Sequence, residues 1–431
     1  MTAFESSALR INKAVVSARE AALVEPNEPN KCGLLSKVVG AQVHAGDWEG
    51  ACYEVVRAVH LDLYTRYNNA LKGQMLAEMA KGQLLSGDIK GALVTIHHGL
   101  GLGLSTFSFF QTLCQLVTLD KLKIDESTAN AALDLAQRTS AEQLIKAEAG
   151  DCSKINWLTY LAEAQARMGR RDTADHTIQS ALDLVSSTDF DFARRQKVID
   201  CGYYDVVGTQ ARMGDIPGAL LTLKHMRDGG LIDSGMRDIA LAVAKAGDLA
   251  EAFAFVRQIG GSDVRSQALI WIAESQARGG DSGEAKTIIE RIESPAKAAE
   301  GLIHIAIAEA QCGDREHGKE TLASALQIVD EARLCPWLMT ETYAAVGLGD
   351  KARDAFERES GNRGSLARMI TKGDVISGNR QAGEAWAKSR PSTSEQCYAW
   401  LGIVDGLILS CQKDHTSAPL GTRSDLLKLI G

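Results

Sequence analysis

The sequence predicts an all-α solenoid, a stack of antiparallel helix-turn-helix repeats. Three observations predict it: a composition that favours helices, a block of residues that recurs along the chain, and glycines that punctuate the block at a fixed interval.

Composition comes first. The 431 residues are 45% hydrophobic but only 5% aromatic, with 7 Pro. Abundant Ala and Leu with few aromatics and prolines favour helix over sheet. The length exceeds what one compact core serves, so it fits two or three domains or one elongated repeat array. The 40 glycines are many for a helical chain, and the repeat accounts for them.

The recurring block is visible in LAEAQARMGRRDTA (161–174), VVGTQARMGDIPGA (206–219), IALAVAKAGDLAEA (239–252), IAESQARGGDSGEA (272–285) and IAIAEAQCGDREHG (305–318). Looser copies are VVGAQVHAGDWEGA (38–51) and EMAKGQLLSGDIKGA (78–92). The shared pattern is apolar–small–x–x–Gln–small–x–x–Gly–Asp–x–x–x–Ala. Its glycines are Gly46, Gly87, Gly169, Gly214, Gly247, Gly280 and Gly313, with Gly347 an eighth. From Gly214 to Gly313 the interval is 33 residues three times running, against 41, 82 and 45 earlier. A fixed period of this length marks stacked supersecondary units.

Each element has a physical reason. Small residues seven and three before the glycine (Ala240 and Ala244, Ala273 and Ala277) and five after it (Ala252, Ala285) let two antiparallel helices approach closely. The glycine reaches positive φ and ends the first helix. The Asp after it (Asp47, Asp88, Asp215, Asp248, Asp281, Asp314) accepts from the free N–H groups that open the second helix. A large apolar residue nine past the glycine, such as Leu223, Val256, Ile289 or Phe356, packs the second helix inward.

On these residues the chain resembles the tetratricopeptide repeat (TPR) family, whose helix-turn-helix unit is about 34 residues long. The family's small residues at the eighth and twentieth positions correspond to Ala273 and Ala285, and its inter-helix turn to Gly280-Asp281. The resemblance covers 38–98 and 152–358. It departs at the eleventh position, where the family's aromatic is replaced by Gln42, Gln83, Gln165, Gln210 and Gln276, and only Tyr343 keeps to type. The resemblance implies a right-handed superhelix with a concave groove that binds peptides. The repeated glutamines read as hydrogen-bonded cross-links or pair-surface residues, because stacking alone repeats one residue type per unit.

The predicted organisation is 1–99, a helical segment with two TPR-like repeats; 100–151, a degenerate helical segment; 152–390, the repeat array; and 391–431, a capping helix (about 394–412) and a loose tail. Within 100–151, Gly99, Gly101 and Gly103 are expected to break the chain, Ser105 to cap a helix running to about Leu119, and a second helix to cover about 126–147.

The sequence carries few residues in patterns that support chemistry. Between Gly91 and Leu119 there is no charged side chain, yet the stretch is too polar to span a membrane. The adjacent His97 and His98 do not share a helix face, and no third ligand accompanies them, so no metal site is expected. The glycines of HHGLGLG (97–103) lack the dinucleotide spacing and follow a helix, not a strand. No Walker loop, G-x-S-x-G or HExxH is present. The nine cysteines are scattered without a CxxC pair, which reads as buried thiols in a reducing compartment. The opening stretch has no secretory h-region, so the expected location is cytoplasmic. Neither a cofactor nor catalysis is expected.

One pattern suggests binding. Two residues before the turn glycine stand Arg167, Arg212, Lys245 and Arg278 in four consecutive repeats. Stacking would line these cations up about 10 Å apart. Such a row suits an acidic peptide or a C-terminal carboxylate, although cations near a helix C-terminus are also favoured by its dipole. The family's geometry further implies that Asn156, Thr159, Glu163, Tyr204, Arg237, Gln267 and Glu274 face the groove. The expected function is a protein-interaction scaffold. The alternatives are an RNA-binding array, disfavoured by a net charge of −8 and by the missing aromatic ladder, and an enzyme with its site in 91–150.

Overall fold

Helix follows helix wherever a computed structural model describes the chain, at residues 3–60, 68–86, 88–101, 109–114, 126–146, 153–187, 192–361 and 363–414. Among these residues there is no strand. In chain order the helices are α1 (Ala3–Leu23), α2 (Glu28–His44), α3 (Trp48–His60), α4 (Asn68–Ser86), α5 (Ile89–Gly101), α6 (Glu126–Lys146), α7 (Ser153–Arg167), α8 (Arg171–Ser187), α9 (Phe192–Arg212), α10 (Ile216–Leu223) and α11 (Gly229–Lys245). They continue as α12 (Leu249–Gln258), α13 (Ser262–Arg278), α14 (Ser282–Ile289), α15 (Pro295–Gln311), α16 (Arg315–Ile328), α17 (Pro336–Ala345), α18 (Gly349–Glu357), α19 (Arg363–Ile376), α20 (Arg380–Ser389) and α21 (Thr393–Asp414).

The chain is an all-α solenoid of helix pairs, and the turns show why. Gly46, Gly169, Gly214, Gly247, Gly280, Gly313, Gly347 and Gly378 all have φ between 73° and 103°. Each closes the preceding helix with two backbone bonds. In the α9–α10 turn, Gly214 N–H donates to Ala211 O at 2.9 Å and Asp215 N–H to Gln210 O at 2.8 Å. This pattern satisfies carbonyls that a helix end leaves orphaned. The Asp then caps the next helix: Asp215 accepts from Gly218 N–H at 3.1 Å, Asp248 from Glu251 at 2.9 Å and Asp281 from Glu284 at 2.9 Å. Gly347 and Gly378 show that the repeat runs on through 360–390. Gly87 lies outside the described residues.

The repeated glutamine is a fastener inside this turn. Gln210 is buried; its Nε2 donates to Asp215 at 3.4 Å and its Oε1 accepts from Thr222 on α10 at 2.8 Å. Gln83 makes the same pair of bonds with Asp88 and Thr95, and Gln165 accepts from Thr177. Glu309 replaces it in the next register and accepts from Thr321 at 2.7 Å. The side chain that departs from the family's aromatic therefore joins first helix, turn and second helix. The small residues of the block, among them Ala240, Ala252, Ala273 and Ala285, are fully buried between the helices.

The helices form two compact units, Met1–Phe109 with Ala306–Gly431 (unit 1) and Phe110–Ile305 (unit 2). In unit 2, α7, α9 and α11 are first helices. Each packs on its own second helix (α8, α10, α12) and on the next first helix, with α13–α14 following α11 in the same way and α6 against α7. In unit 1, α2–α3 packs on α4–α5 through α2 and α4, and α17–α18 on α19–α20 through α17 and α19. These units cut across the segments read from the sequence. Helix α21, expected to cap the end of the stack, packs on α19 and α20 and also on α1 and α2.

Two local expectations are corrected, and a third lies outside the described residues. The glycines after His98 do not break α5 before Gly101. Gly99 instead admits the Phe109 ring, which a Cβ at this position would meet at 2.5 Å. The expected helix cap at Ser105 lies outside the described residues, as do Gly103 and the tail beyond Asp414, while residues 109–114 are helical. Cysteine is not uniformly core filler: Cys52, Cys114 and Cys397 are buried, whereas Cys201, Cys312 and Cys335 are exposed.

Candidate partner-binding face

In unit 2 the first helices α7, α9, α11 and α13 each carry one stripe, at 13, 9, 6 and 2 residues before the turn glycine; it is half-buried up to its last position, except on α9, where Cys201 is exposed and Gly208 buried. Steps of three and four residues keep these positions on one helix face. The outer edge is the cation row. Arg167, Arg212, Lys245 and Arg278 are all exposed, each in the last turn of its helix, where the dipole favours positive charge.

The row is not bare. Arg212 Nε donates to Glu163 Oε2 across to α7 at 2.8 Å, and its Nη2 to Thr209 at 3.0 Å. Gly208 lets this side chain lie back along α9, because a Cβ there would meet Arg212 Nη1 at 3.2 Å. Arg278 pairs with Glu274 one turn away at 2.7 Å, and Glu274 also faces His304 Nδ1 at 3.2 Å. Burial alone would push the Glu274 carboxyl up, but hydrogen bonds from His304 and Arg278 outweigh it and hold it below the usual range. Glu163 and Glu274, expected as partner contacts, thus already hold cations of the row.

Beside the stripe the structure brings Tyr204 and Arg237 together with Gln267, which lies on it, one from each of α9, α11 and α13. Arg237 donates to Gln267 Oε1 at 2.8 Å, to Tyr204 OH at 3.1 Å, and through Nε and Nη2 to Asp238 Oδ1 at 3.0 Å. Tyr204 OH donates in turn to Asp238 Oδ2 at 3.0 Å. The guanidinium lies 4.1 Å over the Trp271 ring. With its side chain 11% exposed and bonded to Tyr204, Asp238 and Gln267, Arg237 is a clamp across three repeats. Burial, with Asp238 beside it, pushes the Tyr204 phenol up, so it keeps its proton as the donor in this network.

Asn156 is half-buried on α7, where its carbonyl accepts from the Thr159 hydroxyl at 3.1 Å. Sequence reasoning missed Asp205, Asp238, Trp271 and His304. All four stand nine residues before a turn glycine, at the same 33-residue interval. The Asp205 carboxyl is pushed up by burial, against which Arg212 pulls it down. The interval was the available signal. The mixed chemistry of an Asp, an Asp, a Trp and a His at one register hid it from a search for repeated residue types.

Among the described residues no group of three or more His, Cys, Asp or Glu is placed to hold a metal ion. No helix among them is long and apolar enough to cross a membrane. No family model matches the chain, and no curated protein is significantly similar to it. Among solved structures it is similar to one described as a circular tandem repeat protein with novel repeat topology and enhanced subunit contact surfaces, at 16% identity, covering 95% of this chain and 98% of that one, with a TM-score of 0.14.

Proposed function

We propose that this chain is a non-catalytic, TPR-like scaffold that holds an acidic segment of a partner protein along the first-helix face of unit 2. The observation that supports this reading is the exposed cation at one register of four consecutive first helices. The pairs that Arg212 and Arg278 make with Glu163 and Glu274 are at 52% and 47% exposure of the arginines, and such pairs contribute only about 0–1 kcal/mol. A partner carboxylate displaces them at small cost. The Arg237 clamp fixes the spacing between α9, α11 and α13, so the row needs little ordering when a ligand arrives, and preorganised sites lose less entropy on binding.

The test compares wild type with a variant reversed at Arg167, Arg212, Lys245 and Arg278, each to Glu, by capture from native lysate and mass spectrometry. Circular dichroism and thermal melts check that the variant is folded. The reading expects an acidic partner that wild type retains, that the variant loses, and that elutes with rising salt. Equal retention by both chains, or retention of RNA in place of protein, overturns it.

A further inference from the structure

The helix order in unit 1 passes from one distant stretch of chain to another. Helix α21 packs on α19 as one first helix packs on the preceding one, and α1 packs on α21 as a second helix packs on its own first. Helix α2 then follows as the next first helix, touching both α1 and α21. One helix pair is thus assembled from residues 393–414 and 3–23. Thr393 donates to Glu25 where the start of α21 meets the end of α1, which makes the two helices antiparallel like the other pairs.

Two features set this pair apart. Helix α1 joins the remaining chain through residues 24–27, which include Pro26 and the exposed Val24. Its buried face is Ala14, Val15, Ala18, Ala21 and Ala22. Beside this face Arg19 forms an ion pair with the buried Glu54 of α3; a second copy of the chain carries the same aliphatic face and the same arginine, so its α1 fills the same seat. On the other side of α1, Leu9 and Val16, seven residues apart, are 51% and 42% exposed.

We propose that α1 is an exchangeable helix: it turns about residues 24–27, leaves its own α21, and packs on α21 of a second copy of this chain. Reciprocal exchange makes every α1–α21 contact twice over and leaves none unsatisfied, which is why swapping an identical element is a low-cost route to a dimer. Within one chain the short tether keeps the effective concentration of α1 high, so the exchanged form grows with protein concentration. Leu9 and Val16 then lie where two copies approach.

The test uses full-length chains. The double variant Glu25→Cys with Thr393→Cys, oxidised when dilute, should form a disulfide within one chain, identified as a linked peptide by mass spectrometry. The two single variants, one isotopically labelled, are then mixed, held concentrated for days below the melting temperature, and oxidised. The proposal expects a disulfide between positions 25 and 393 of different chains. Its yield should rise with concentration and track a dimer seen by light scattering. If the double variant links within one chain and the mixture yields no interchain link at any concentration, exchange does not occur. If the double variant itself fails to link, the α1–α21 pairing is wrong and the proposal falls with it.

Discussion

Replacing Arg237 with Ala should destabilise unit 2 far more than replacing Arg212, although both are arginines on first helices. Arg237 makes four hydrogen bonds of 2.8–3.1 Å to Asp238, Gln267 and Tyr204 and covers Trp271. Its side chain is 11% exposed and that of Asp238 20%. Removing one partner of a buried charge pair costs about 3–5 kcal/mol, and partial exposure trims this to about 2–4 kcal/mol. Arg212, at 52% exposure, should cost about 0–1 kcal/mol. Urea unfolding followed by intrinsic fluorescence reports both, because Trp271 lies under the Arg237 guanidinium. Repeat arrays unfold in pieces, so amide hydrogen exchange should accompany it, with protection lost first in α9, α11 and α13. A Tyr204→Phe variant closes a double-mutant cycle, with an expected coupling of about 0.5–3 kcal/mol. If Arg237→Ala costs no more than Arg212→Ala, the clamp is not a clamp.

Other predictions follow from the turns and the buried groups. Asp281→Ala removes the cap on Glu284 N–H and should cost about 1 kcal/mol, with Asp281→Gly costing only a few tenths; a thermal-melt series across Asp248, Asp281 and Asp314 checks it. Gly373→Ala would set a Cβ 2.3 Å from Ala344 O, so α17 and α19 must separate, at about 1–3 kcal/mol or more. Gly260→Ala, near no backbone atom of a neighbouring helix and 3.6 Å from Asp233, serves as its mild control. Asp374, buried beside Arg353 at 2.6 Å, has its carboxyl raised by burial to about 6 against the pull of that arginine. An acid with a raised folded pKa binds protons more readily folded than unfolded, so this group's contribution falls as pH rises from about 4 through about 6. Wild type minus Asp374→Asn, both unfolded by urea at pH 4 to 7, should show that slope; a difference that is flat with pH rules it out.

Much of the fold was legible because each repeat carries its own local grammar. The glycine at positive φ and the Asp that caps the next helix act within a few residues, and both turned out as the pattern required at Gly214, Gly247, Gly280 and Gly313. The glutamines were legible as cross-links, because a polar residue among apolar neighbours must find a partner, and Asp215 and Thr222 supply it for Gln210. The pairing of α1 with α21 was not legible. It joins stretches 368 residues apart, and the Ala and Val face of α1 carries no mark of its partner. The site was half legible. The cations of the row came from register, whereas Tyr204 and Arg237 came from family geometry and stand one residue off the stripe. That offset places them in the clamp between helices, beside Asp238, which does lie on the stripe.

If the first-helix face of unit 2 holds the partner, a photo-crosslinking amino acid on that face will reach it. Placed at Lys245, the exposed cation in the row of α11, it should capture a partner protein from native lysate. Placed at Leu221, 59% exposed on the second helix α10, it should capture none above background. Capture from Leu221 with none from Lys245 would move the binding surface to the second helices and rule out the first-helix face.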